Sequence, residues 1–403
     1  MQSVDSYLSE IIAAITRLPP EDIPLTEADG AVLAADAVTN WPLPGFDNSA
    51  MDGYAVRAAD VAGATAENPV TLPVDAEIAA GDTNAYTLAP GRSFKIMTGA
   101  LLPAGADAVI PVEWTDDSRQ TVQISRSASA GNAVRREGDD AKPGDLLLPA
   151  GTRLGAAQIG VLAAAGHGTV LARRRPRVTV ISTGNELVEP GSPLVPGRIW
   201  ESNSYMLAAA ARQAGCEATR HPRLRDDPDE VLAAIDQAAA TADLLMTSGG
   251  VSMGGEHDVV KAALTRLGTV TFRKVAMQPG MPQGFGLIGD EPQTPLFTLP
   301  GNPVSAFVSF RLFVEPAVRA LQGLPAQPDA PHQARLAAPV TSPDGKRSFL
   351  RANIDRQGGS VTPLTGQNSH QIASLARADS LIVIPEAVTS LPAGQTVDVL
   401  ELP

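Results

Sequence analysis

One cysteine, Cys216, stands in 403 residues, so no disulfide can form within the chain. A single thiol suits a reducing, cytoplasmic setting. An excess of positive charge is missing too: the formal net charge is −13. That excludes general affinity for nucleic acid or anionic membranes, and an anionic ligand would need a local basic site. The first residues carry Asp5 and Glu10 and no basic region at their start, so they do not read as a secretory signal. The apolar stretch at 306–314 is interrupted by Arg311 and is far too short to cross a bilayer, so no membrane insertion is expected. No repeat of fixed period is present.

What is present is 44% hydrophobic and 19% charged residues, the balance of soluble globular domains with real cores, in a chain long enough for two to four of them. The 36 glycines and 34 prolines stay below the low-complexity range and point to many turns and edge strands. Residues 243–258 organise the rest. Leu244, Leu245 and Met246 read as a buried strand; Ser248, Gly249 and Gly250 break it; Gly254 and Gly255 follow; Asp258 opens a helix over 259–267. A strand that ends in glycines and feeds a helix turns several N–H groups onto one concave face, which binds phosphate or another oxyanion. In an open parallel sheet such a turn lies beyond the carboxyl ends of the strands. An ordinary strand–helix connection with a capping Asp explains the same residues equally well.

From the beginning of the chain, Val4, Leu8, Ile11, Ile12 and Ile15 share one helical face, ended by Pro19 and Pro20. That face needs another part of the protein, or a second subunit, to cover it. Residues 43–56 form a polar, turn-rich loop with Phe46, Met51 and Tyr54, where Asp47 and Asp52 on spacing alone make local backbone hydrogen bonds. Short apolar runs at 70–72, 94–97, 108–110 and 122–124 give a small β domain. Two of its turns stand out, 97–100 and 135–140. In the second, Arg135 and Arg136 beside Glu137, Asp139 and Asp140 are either a solvated cluster or a phosphate clamp.

A helix over 159–165 and the basic linker Arg173, Arg174 and Arg175 precede a change of pattern. A strand at 178–181, helices at 205–214 and 231–240, the 244 strand, the 259–267 helix, strands at 270–277 and 296–299 and a helix at 304–321 make a parallel α/β sheet. Three strand ends then deliver polar turns to one edge: 182–186, 248–258 and 300–305. After a linker at 323–331, residues 332–403 read as a second small β domain.

These segments, taken in order, resemble the MoeA family of molybdenum insertases, which includes the E domain of gephyrin. The resemblance is carried by residues 46–55 (FDNSAMDGYA), 97–100 (MTGA), 135–140, 182–187, 247–252 with Asp258, and 299–306 (LPGNPVSA). It implies an α/β plus β fold: an elongated homodimer whose subunit has a discontinuous dimerisation domain (1–45 and 142–176), an inserted β domain (46–141), a molybdopterin-binding α/β domain (177–325) and a C-terminal β domain (326–403). The active cleft would lie between the third domain of one subunit and the second of the other. The implied reaction takes adenylylated molybdopterin and molybdate, releases AMP and leaves molybdenum on the dithiolene, assisted by Mg²⁺. Other proteins of that pathway, the molybdopterin adenylyltransferase among them, become expected partners.

Carried onto this chain, the resemblance gives Asp52, Asp140, Glu186 and Asp258 as catalytic residues. Thr98, Gly99, Arg136, Ser248, Gly249, Gly250, Ser252, Lys274, Pro300, Asn302, Ser305, Arg351 and Ser369 are the cofactor-binding set, and Glu186, Asp227 and Asp258 the metal ligands. A pyrophosphate-like group suits the amides at 248–250, and Mg²⁺ needs oxygen ligands, for which Asp226 and Asp243 are further, weaker candidates.

The chain departs from the family where a Lys-Pro-Gly-Lys run is common: it has Gln278, Pro279, Gly280 and Met281. Asn185 and Asp139 replace a common Asp and Glu. Losing two cations that face a dianion leaves a second reading, a gephyrin-like scaffold that binds a peptide of a membrane or cytoskeletal protein. A third, the pathway's adenylylating enzyme, is opposed by the extra β domains. Each charge-assisted contact contributes about 1.5–3 kcal/mol. Gln278→Lys with Met281→Lys should therefore tighten molybdate binding by at least about tenfold by isothermal titration; unchanged affinity would remove these positions from the molybdate site.

Overall fold

The computed structural model describes residues 1–249, 259–326 and 331–402, which divide into two compact units. One unit comprises Met1–Glu21, Gly30–Val32 and Ala172–Pro403; the other comprises Asp22–Asp29 and Leu33–Leu171. The larger unit is built on a six-stranded sheet, in spatial order Glu217–Arg220, Arg177–Ser182, Leu244–Ser248, Thr294–Leu299, Pro282–Ile288 and Val270–Lys274. Its first four strands run parallel, in register, so that Ser182 pairs with Ser248 and Ser248 with Leu299.

The fifth strand corrects the all-parallel expectation. Pro282–Ile288 runs antiparallel to both its neighbours, and the expected strand over 270–277 ends at Lys274. There the chain turns back, with the Val275 N–H donating to the Met281 carbonyl. Gly284 and Gly286 hide the inserted strand from a pattern reading, but packing requires them. A Cβ at Gly284 would fall 1.8 Å from Thr298 Oγ1, and one at Gly286 2.3 Å from the Thr269 carbonyl oxygen.

The sheet is covered on both faces, as its near-continuous apolar strands demand. Leu244 and Met246 point into one core with Leu207, Ala208 and Ala211 of the Asn203–Gln213 helix and with Val304, Val308 and Phe310. Leu245 points into the other, with Val231 and Ile235 of the Pro228–Ala239 helix and with Val260 and Leu264. The expected 304–321 helix is a Pro303–Ser309 helix, a π-helical turn Phe310–Val314, and a Glu315–Leu321 helix. Against it lies the Val4–Ala14 helix, whose Val4, Tyr7 and Ile11 are buried in the first core. The amphipathic face that needed a cover thus finds it within its own chain.

The C-terminal strands close on themselves. Arg347–Asp355, Ser360–Pro363, His332–Leu336, Thr396–Glu401 and Ser380–Ile384 pair in sequence and return to Arg347–Asp355, enclosing Ala352, Val361, Ile382, Val397 and Val399. Closure removes free sheet edges. The short Met277–Gln278 strand docks parallel on Arg347 and Ser348 from outside.

The smaller unit has a five-stranded sheet, in order Ala108–Pro111, Gly53–Val56, Ser93–Ile96, Val70–Ile78 and Thr121–Ile124. Tyr54 and Val56 face one core and Ala55 the other, the alternation a strand imposes. No helix among the described residues is long and apolar enough to cross a membrane.

The Tyr7 ring meets Phe313 edge-on at 4.9 Å, yet its buried hydroxyl has no hydrogen-bond partner among the described residues. Tyr7→Phe keeps the ring and removes an unsatisfied polar atom. The variant should unfold later, by about 1 kcal/mol; a lower thermal midpoint in calorimetry would show that the hydroxyl is satisfied in solution.

Candidate functional site

Because the parallel strands are in register, Ser182, Ser248 and Leu299 end at one level, and the turns that follow share one edge of the sheet. Ser248 is 2% exposed. Gly249 then takes φ +91°, a left-handed conformation that favours glycine, and its N–H bonds to the Leu299 carbonyl. At the first turn, the Asn185 N–H donates to Asp226 at 2.9 Å, which ties 185–186 to the segment before the Pro228–Ala239 helix. Glu186 is exposed, and its side chain accepts no hydrogen bond among the described residues.

At the third turn, Pro300 is buried and Asn302 stands as N-cap residue of the Pro303–Ser309 helix. Asn302 Nδ2 donates to Ser369 Oγ at 3.0 Å, and the Val304 N–H to the Ser369 carbonyl. This joins the loop between the Ser360–Pro363 and Ser380–Ile384 strands to the start of the Pro303–Ser309 helix, where Pro303 has no N–H and that of Val304 is spent on the loop. Ser305 is buried one turn into that helix.

Two residues that carried no motif bind the turns together. Asn203 Nδ2 donates to Ser248 Oγ at 2.8 Å and to the Gly301 carbonyl at 2.7 Å. Glu201, 2% exposed, accepts from Ser182 Oγ at 3.2 Å and from the Ser204 N–H at 2.8 Å. A polar run opening an alanine-rich helix was the only signal in the sequence, and it reads as an ordinary helix start.

Other expected residues take different posts. Arg351, expected to face an anion, is 1% exposed. Its guanidinium donates to the Gly366 and Asn368 carbonyls, so it holds the Ser369 loop from beneath, and burial pushes its pKa below the usual range. Asp227 caps the Pro228–Ala239 helix, its Oδ1 accepting from the Asp229 and Glu230 N–H groups, which draw its pKa down. Asp243 pairs bidentately with Arg174 at 2.5 and 2.9 Å and caps the Arg177 N–H, a structural role. Lys274 is exposed at the end of its strand, two strands from Leu299 along the same edge. Gly250, Ser252, His257 and Asp258 lie outside the described residues.

In the smaller unit, one carboxylate oxygen of Asp52 accepts from both the Thr98 N–H and Thr98 Oγ1, each at 2.7 Å. The amide first, then the hydroxyl, holds the Asp52 carboxyl below its ordinary pKa. Gly99, at φ +78°, donates its N–H to the Ser49 carbonyl and closes the same loop. Asp47 accepts from the Glu137 N–H at 2.8 Å and from Arg136 Nη1 at 2.6 Å. Arg136 is therefore an arginine already paired, and Asp47 orders the 135–140 turn together with Asp139, which accepts from the Arg136 N–H at 2.7 Å. Asp140 is exposed beside them, its N–H donating to the Leu43 carbonyl.

A cavity of about 360 Å³ in the larger unit shares no residue with these turns; Val4, Leu8, Leu312, Phe349, Leu381 and Leu400 give it an apolar lining. No group of three or more His, Cys, Asp or Glu among the described residues is arranged to hold a metal ion.

Residues 2–166 match the model of the MoeA N-terminal region (domains I and II), residues 179–320 that of a probable molybdopterin binding domain, and residues 333–402 that of the MoeA C-terminal region (domain IV). The chain is 47% identical to molybdopterin molybdenumtransferase 2 of Mycobacterium tuberculosis over the full length of both. The chain belongs to the MoeA family. A MoeA relative from Bacillus subtilis, also named molybdopterin molybdenumtransferase, is 36% identical over 91% of this chain and 86% of its own. The crystal structure of a MoeA protein from Pyrococcus horikoshii superposes with a TM-score of 0.76 at 28% identity, covering 100% of both chains. The MoeA fold, α/β plus β, is thus shared along the whole chain.

In this MoeA chain the Asp52–Thr98 contact can be checked alone. Thr98→Val deletes the hydroxyl donor and keeps the amide, so the Asp52 pKa should rise while staying below that of a free aspartate. The folded value is depressed, so Asp52 contributes stability above its unfolded pKa, lost as pH falls through the folded one. In the variant the stabilisation is smaller, and its loss is complete at higher pH. Carboxyl-carbon NMR titration of Asp52 reads the shift; no difference between variant and wild type would show that the hydroxyl bond is not formed.

Proposed function

We propose that this chain is a molybdopterin molybdenumtransferase that cleaves adenylylated molybdopterin, releases AMP and inserts molybdenum from molybdate. The observation that carries the reading is the register Ser182–Ser248–Leu299, which gathers polar turns at one sheet edge. Such an edge suits the phosphate linkage that this reaction breaks. In the proposal the Ser248 hydroxyl, whose hydrogen Asn203 leaves free, binds the phosphates beside the Gly249 turn. Asn302 and Ser369, steadied by Arg351, meet molybdate as substrate, with Lys274 the nearby cation that remains. Asp52 and Asp140 are kept as catalytic residues, as the resemblance implies.

Mg²⁺ is typically held by one or two carboxylates and the substrate phosphates, and the exposed carboxylate of Glu186, which accepts no hydrogen bond among the described residues, fits that demand, with Asp258 as the second oxygen donor. When bound, the cation offsets phosphate charge. The proposal includes a homodimer, the four-domain division expected from the sequence, a cytoplasmic setting, and the adenylyltransferase as the partner that supplies the substrate.

Purified chain with adenylylated molybdopterin and Mg²⁺ should release AMP faster when molybdate is added. Glu186→Ala should slow that release at least about tenfold, the scale of one lost charge-assisted contact. The reading is lost if the wild type releases no AMP at saturating molybdate and Mg²⁺ while a family member with both lysines does so in the same assay.

A further inference from the structure

The Asn203–Gln213 helix begins at the sheet edge where the phosphate turns lie, and its first residue is not placed by chance. Glu201 is a buried carboxylate, which is tolerable only when its oxygens are hydrogen-bonded. Oε1 takes the Ser182 hydroxyl and the Ser204 N–H; Oε2 takes the Ser204 hydroxyl at 2.5 Å, with Arg220 Nη2 at 3.5 Å. Arg220 Nε donates to Ser204 Oγ at 2.7 Å, and its guanidinium lies 3.4 Å from the centre of the Tyr205 ring. Tyr205 in turn donates to Glu189 at 2.8 Å. The Glu201 N–H bonds to the Val188 carbonyl and the Ile199 N–H to that of Glu186, so the same anchor reaches the first turn.

Two residues beyond Glu201, both amide hydrogens of Asn203 are spent on different strand ends: one on Ser248 Oγ, the other on the Gly301 carbonyl. The two bonds have distinct electrostatic effects. As acceptor from Asn203, Ser248 Oγ keeps its own hydrogen for a further acceptor. The Gly301 carbonyl, drawn to Asn203, has its negative end committed and cannot be aimed at an anion beside Gly249. Both effects favour an oxyanion where the 248–249 and 300–302 turns meet.

We propose that Asn203 is the positioning residue of the phosphate-binding turns, anchored by Glu201, and that it sets affinity for the adenylyl phosphate rather than for molybdate. This rests on the transferase reading of the turns.

The test compares wild type with Asn203→Asp, which keeps size but replaces both donor hydrogens by negative charge, and Asn203→Ala, which only deletes them. The expected result is a KM for adenylylated molybdopterin raised about tenfold in Asn203→Ala and further in Asn203→Asp. KM for molybdate should stay at its wild-type value. AMP affinity by isothermal titration should fall in the same order. Unchanged KM and AMP affinity in both variants would overturn the proposal. So would equal rises in both KM values with a lowered midpoint, the signature of a merely structural role. If wild type turns over no substrate yet binds AMP, and Asn203→Asp loses that binding, the transferase reading fails and the positioning role stands. If wild type binds no AMP, both fail.

Discussion

Strand register is the constraint on which the site depends. Backbone hydrogen bonds fix Ser182, Ser248 and Leu299 at one level, and a one-residue slip would send Leu244 and Met246 to the opposite core and Leu245 to theirs. The apolar burial on both sheet faces therefore enforces the alignment of the turns: the groups that stabilise the fold also set where the polar turns emerge. What the register leaves open is the orientation of side chains and carbonyls within each turn. The Glu201–Asn203 segment supplies that, through a buried carboxylate that must be satisfied and an amide that bridges two strand ends.

The strands that ended in glycine or proline turns were legible in the sequence, because a buried run followed by breakers is a local signal. The 259–267 helix and the apolar runs of the smaller unit were legible for the same reason. Pro282–Ile288 was not, since Gly284 and Gly286 lower any strand pattern, and the reason for them is the approach of Thr298 and Thr269 from elsewhere in the chain. Nor could the π-helical turn at Phe310–Val314 be read from apolar spacing.

The site divides in the same way. Among the candidates, Ser248 and Gly249 stood out by turn chemistry, and Asn302 and Asp52 by the family motifs. Asn203, Glu201 and Asp47 did not, because each acts through a partner distant in sequence: Gly301, Ser182 and Arg136. Arg351 shows the converse. A matching residue type was legible, but its burial under the Ser369 loop was not. The replaced lysines fall on a turn held by Gln283, whose Nε2 donates to the Gly280 carbonyl and to Ser309 Oγ, each at 2.6 Å. Gln278 and Met281 therefore change the charge presented by a turn whose backbone is fixed.

A crystal structure of the chain with adenylylated molybdopterin would test the arrangement most directly. The phosphates should lie against the Ser248 hydroxyl and the Gly249 turn, facing the start of the Pro303–Ser309 helix, with both Asn203 bonds intact. Phosphates seated away from these turns, or an Asn203 side chain swung off Ser248 and Gly301 to contact the ligand itself, would contradict it.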